Sequence, residues 1–160
     1  MPRDPQSEAD VQAPATGTAY PVLFAISFCH VLNDLIQALV PSIYPLLKET
    51  YALDFAQIGL ITLAFQLTAS LFQPVVGLVA DKKPMPYSLA FGMVFTLAGL
   101  VVSAFASTYL LLILGVSLIG AGSAIFHPES ARIARMASGG RYGLAQSIFQ
   151  VGGNAGSALG

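Results

Sequence analysis

Five long apolar blocks, separated by short polar links, set the architecture of this chain. The blocks run over residues 20–44, 58–80, 89–106, 109–134 and 144–160. A helix needs roughly 20 apolar residues to cross the hydrocarbon core of a bilayer. Barrel strands are shorter and alternate polar with apolar residues, and these blocks show no such alternation. The pattern predicts an all-α integral membrane protein. Pro41 and Pro45 mark the far end of the first span, and the link KETYALDFAQ follows it. The link STY is so short that the third and fourth spans must form an antiparallel hairpin. Residues 1–19 are polar and hold Pro2, Pro5, Pro14 and Gly17, which predicts a disordered tail. They do not read as a signal peptide, because their charges are mainly acidic and the apolar block that follows is too long. The fifth block is still apolar at Gly160, which leads us to expect a partial gene product with further spans beyond it.

Composition strengthens this picture. Of the 160 residues, 55% are hydrophobic and only 9% are charged, where a soluble domain carries about a quarter charged residues. Mean hydropathy is +0.71. Cys29 is the single cysteine, so an intrachain disulfide and a cysteine-built metal site are excluded. It reads as a small apolar side chain. A net charge of −1 offers no basic surface for nucleic acid. Cytoplasmic loops collect Lys and Arg. Arg3, Lys82, Lys83, Arg132, Arg135 and Arg141 all fall on one side of the predicted spans, and Lys48 alone falls on the other. The N-terminus is therefore expected in the cytoplasm.

Ionisable groups inside spans are costly and usually face a cavity or a partner. In the first span, Ser27, His30, Asn33, Asp34, Gln37, Pro41 and Tyr44 recur at steps of three or four, which places them on one helix face. Asp34 lies about 21 Å along the span at 1.5 Å per residue, in the outer half. A carboxylate removed from water can bind and release a proton near neutral pH. The stripe predicts a proton or substrate site, with an interhelical hydrogen bond that merely holds the bundle as the alternative. Thr62, Gln66, Ala69 and Gln73 form a weaker stripe in the second span and read as helix packing. In the fourth span, Pro128 should kink or break the helix. Around it His127, Glu129 and Arg132 suggest a cytoplasmic gate or an anion-binding patch, the alternative being charges that solvate a helix end. Glu129 and Arg132 are three apart and can pair. His127 and His30 are expected at different depths, with no ligand spacing between them, so no metal is predicted. No GxSxG, HExxH or phosphate loop is present, hence no enzyme activity and no cofactor are expected. GAGSAI lies inside a span and is a poor dinucleotide loop.

Two segments carry a family likeness. GLVADKKPMPYS resembles the signature loop of the major facilitator superfamily, with Gly77, Asp81, Lys82 and Lys83 matching. Pro84 replaces the usual later Gly, and Met85 or Pro86 the usual Arg. The resemblance implies close helix approach at Gly77 and a conformational latch at Asp81 that breaks as the cytoplasmic side opens. GLAQSIFQVGGNAGSALG resembles that superfamily's antiporter signature through Gly143, Gly152, Gly156 and Gly160, with Ser157 where Pro is expected. Generic close packing gives the same glycine spacing. After about residue 24 the chain is similar throughout to the fosmidomycin-resistance family of that superfamily. The likeness implies the N-terminal part of a twelve-helix bundle in a bacterial inner membrane. It implies proton-coupled export of a small anionic phosphonate by alternating access, with a small-molecule substrate, protons and lipid as partners and a monomer when full length. Asp34 would carry the proton, and His30, Asn33 and Gln37 would line the cavity. His127, Glu129 and Arg132 would shape the cytoplasmic mouth. The rival readings are an uptake carrier for a small organic anion and a membrane structural subunit that transports nothing.

Overall fold

Each apolar block folds as a helix, because a backbone surrounded by hydrocarbon must satisfy its own N–H and C=O groups. The computed structural model describes residues 17–82, 85 and 87–160, without the side chains of residues 80 and 81. The expected tail therefore lies largely outside the described residues, as do Lys83, Pro84 and Pro86. The helices are α1 (Tyr20–Ser42), α2 (Tyr44–Thr50), α3 (Phe55–Lys82), α4 (Ser88–Ala104), α5 (Tyr109–Met136) and α6 (Tyr142–Leu159). By length and hydropathy α1, α3 and α5 are each able to cross a membrane, and α4 is a shorter apolar helix of 17 residues. Helix α6 is less apolar because it carries four glycines together with Gln146, Gln150 and Asn154.

The surface inverts the pattern of a soluble bundle. Phe24, Phe28, Leu71 and Leu110 are 61–76% exposed, while His30, Asn33 and Glu129 are at most 2% exposed. Large apolar faces this extensive need a nonaqueous surrounding.

Helix α5 is the hub. It packs against α3 and α4 over its length and also meets α1 and α6, while α1 pairs with α6. Small residues bring the backbones together, as membrane packing requires. A Cβ on Gly122 would meet the Gly92 carbonyl oxygen and the Thr96 amide of α4, both at 2.6 Å. A Cβ on Gly120 would meet Thr68 and the Phe65 carbonyl of α3. The GAGSAI segment is thus a two-sided packing surface. Of the second-span stripe, Ala69 is buried in this joint, whereas Thr62 and Gln66 point outward.

Several local expectations are corrected. The KETYALDFAQ link is not simply a loop: its first three residues end α2, which begins at Tyr44 with Pro45 in its first turn, where a missing N–H does no harm. The same segment closes with a capping box. The Gln57 amide donates to Asp54 Oδ1 at 2.7 Å, and the Asp54 amide donates to Gln57 Oε1 at 2.9 Å. Asp54→Ala is expected to destabilise the fold by about 1 kcal/mol, read as a lowered melting temperature in detergent. Helix α5 runs unbroken through Pro128. The carbonyl that loses its donor is that of Ala124, which is 0% exposed in the packed middle of α5.

The tail is anchored before residue 20. The Ala19 amide donates to the Ala137 carbonyl and Thr18 Oγ1 to the Ser138 carbonyl, each at 2.9 Å. The start of α1 and the end of α5 therefore share one face of the bundle. Gly139 and Gly140, with φ of 57° and 87°, turn the chain there into α6. Helix α3 continues to Lys82, so Gly77, Asp81 and Lys82 are helical rather than part of a turn. No atom lies within 4 Å of a Cβ built on Gly77, so the close approach expected there is absent among the described residues.

Candidate functional site

The polar stripe of α1 turns toward α5 and α6. Ser27 Oγ donates to the Ile148 carbonyl at 2.8 Å. His30, 2% exposed, lies flat on Phe149 with ring centroids 4.1 Å apart. Its Nδ1 is 2.9 Å from the Phe149 carbonyl oxygen. A carbonyl only accepts, so Nδ1 carries the hydrogen. The other nitrogen, Nε2, lies 3.3 Å from Asp34 Oδ2. From α5, His127 Nδ1 donates to the Ser123 carbonyl at 3.0 Å, and His127 Nε2 lies 3.3 Å from Asp34 Oδ1. The Gln37 and Asn33 amides also donate to Asp34 Oδ1, at 3.0 and 3.2 Å.

The two histidine rings meet edge to face at 5.1 Å. They lie at the same depth, which corrects the expectation that separated them. Periodicity located the α1 face correctly, but nothing within α5 indicated which of its sides would meet that face. His127 and Glu129 are two residues apart, about 200° around the helix, so the expected gate divides. His127 joins Asp34, while Glu129 and Arg132 form a pair of their own, Arg132 Nη2 donating to Glu129 Oε2 at 3.3 Å. That pair lines a cavity of about 470 Å³ with Met85, Ser88, Leu89, Ile133 and Met136, between the start of α4 and the end of α5. Glu129 Oε1 is buried there without a hydrogen-bond partner among the described residues.

Three of the four antiporter-signature glycines pack as a ladder on α1. A Cβ on Gly152 would meet Ser27, one on Gly156 the Val31 carbonyl, and one on Gly160 the Leu35 carbonyl at 2.6 Å. Gly143 meets nothing within 4 Å. Gly153, outside the signature, is the glycine at the cluster: its Cβ would lie 2.6 Å from His30 Nε2 and 3.0 Å from Asp34 Oδ2. Gln146, Gln150 and Asn154 are exposed along one face of α6. Their spacing of four was the available signal for a second polar stripe.

A bundle of apolar helices joined by glycine contacts around a partly buried polar cluster is the construction of a membrane transporter. Residues 26–160 match the family model of the Major Facilitator Superfamily. The chain belongs to that superfamily, whose members are transporters and not enzymes. It is 57% identical over 162 aligned residues to the fosmidomycin resistance protein of Escherichia coli, covering 100% of this chain and 40% of that protein. It is 46% identical over 155 residues to the uncharacterized MFS-type transporter YfnC of Bacillus subtilis, covering 97% of this chain and 38% of that protein. The chain thus spans about two fifths of the length of these relatives. No solved structure matches it.

Proposed function

We propose that this chain works within a proton-coupled exporter of a small anionic drug, of the phosphonate type that the name of the Escherichia coli relative indicates. The observation that carries the proposal is the His30–Asp34–His127 cluster inside the helix bundle. Both histidines spend Nδ1–H on backbone carbonyls, so each neutral ring would turn a bare Nε2 lone pair toward a carboxylate oxygen. Two acceptors face each other twice. Two protons relieve both contacts, whether held as two imidazolium rings or as one imidazolium and a carboxylic acid. The cluster is built to load and unload protons, and in the loaded state it is cationic enough to favour a nearby anion. In this reading the exposed amides of α6 line the substrate path. The Glu129–Arg132 pair shapes the mouth, and Asp81 is the latch at the end of α3. Of the five described basic side chains, Lys82, Arg132, Arg135 and Arg141 lie at the ends of α3 and α5 or the start of α6, and Lys48 lies in α2. That supports a cytoplasmic N-terminus, because α1 begins at the same face.

Everted membrane vesicles containing the protein provide the test. With an acid-inside gradient established, adding fosmidomycin is expected to release protons, seen as recovery of a quenched pH-sensitive dye. Drug accumulation in intact energised cells, with no proton release from everted vesicles, would assign uptake instead.

A further inference from the structure

The geometry of the same cluster points to a second ligand. We propose that His30 Nε2, His127 Nε2 and the Asp34 carboxylate form a binding site for one divalent transition-metal ion of the zinc type. The proposal goes beyond the transport reading, since metal binding is measured without any substrate or gradient.

The donor set is two imidazoles and one carboxylate, which suits zinc and its neighbours and leaves a fourth position for water or an anion. Both histidines of the 160-residue chain take part. The three ligand atoms lie within 4.8 Å of one another. Each Nε2 is 3.3 Å from its carboxylate oxygen. That is long for a charge-assisted hydrogen bond, whose usual span is about 2.7–2.9 Å. With Oδ2 as the ligand oxygen, the His30 separation equals one edge of a tetrahedron, about 3.3 Å, drawn around an ion with bonds of about 2.0–2.1 Å, and His127 faces the other oxygen of the same carboxylate.

The outer contacts are those of a metal ligand set. A ligating histidine characteristically donates its other ring N–H to a carbonyl or carboxylate, which fixes the tautomer and the ring orientation. His30 does so to Phe149 and His127 to Ser123. Gln37 and Asn33 hold the carboxylate through Oδ1. Gly153 leaves the space beside His30 Nε2 and Asp34 Oδ2 that any side chain would fill. Because His30 and Asp34 stand on α1 and His127 on α5, a bound ion would tie the two helices together.

The test is a titration of Co²⁺ into metal-free protein purified in detergent without a polyhistidine tag. One equivalent is expected to bind this site with a visible ligand-field absorption, and Zn²⁺ is expected to displace it. His127→Ala and Asp34→Asn should each weaken binding at least tenfold, about 1.4 kcal/mol. Cys29→Ser should leave it unchanged, which excludes the lone thiol. The absence of saturable binding by the unmodified protein would overturn the site without any reliance on variants. Binding that survives His127→Ala undiminished would overturn it equally. Proton release by the drug in everted vesicles stands or falls separately.

Discussion

Asp34→Asn is expected to reduce fosmidomycin resistance to the level of cells lacking the protein, while the protein still accumulates in the membrane. The substitution keeps the side chain's size. The new amide oxygen accepts from Gln37 and Asn33 as Oδ1 does now, and the new Nδ2–H, in the place of Oδ2, donates to the bare Nε2 of His30. Neutral contacts thus replace the charged ones, and the α1–α5 joint persists. What disappears is the carboxylate that both imidazoles face, and with it the group that takes up and returns the proton. Resistance measured beside membrane abundance separates this outcome from misfolding. Full resistance in the variant would remove Asp34 from the proton path.

The glycine ladder carries the second large effect. Gly156→Leu should abolish the recovery of folded protein, because even its Cβ collides with the backbone of Val31. Backbone cannot swing aside as a flexible side chain can, so relief requires α6 to leave α1. Overpacking a well-filled joint costs typically 1–3 kcal/mol, and a whole leucine against backbone exceeds the upper end of that range. Gly143→Ala should fall within about 0.5 kcal/mol of the parent, since nothing lies within 4 Å of the added methyl. The comparison is made by monodispersity and melting temperature in detergent. Equal losses in the two variants would mean that the signature acts through something other than contact with α1. Gly153→Ala should give a third behaviour: a folded protein without function, because the methyl displaces His30 and Asp34 rather than the bulk of a helix.

These three outcomes also mark how far the chain was legible before folding. The Gly143, Gly152, Gly156 and Gly160 spacing identified a helix that meets another closely, but not which members make the contact. Gly143 is nine residues before Gly152, about 180° around α6, so it faces away from α1, while Ala145 in the same turn is buried against Leu23. The capping box at Asp54 and Gln57 was readable as a Ser/Thr/Asp-x-x-Glu/Gln start, yet it was hidden in a link judged by polarity alone. Pro128 illustrates a local rule met only in part: the helix does not break there. The local rule against proline inside a helix is real, but packing on several sides of α5 outweighs the loss of one hydrogen bond.

Sequence by itself determined the helices, because crossing hydrocarbon demands long apolar runs. It also determined the α1 face that holds His30, Asp34 and Gln37, because those residues recur with the helical period. Only tertiary structure decided what that face meets. The rotation of α5 about its own axis is set by Gly120 against α3 and Gly122 against α4. That rotation sends His127 to Asp34 and Glu129 to the far side. Helical periodicity records which residues share a face. It holds no information on the angle between two helices, and the site is made at that angle.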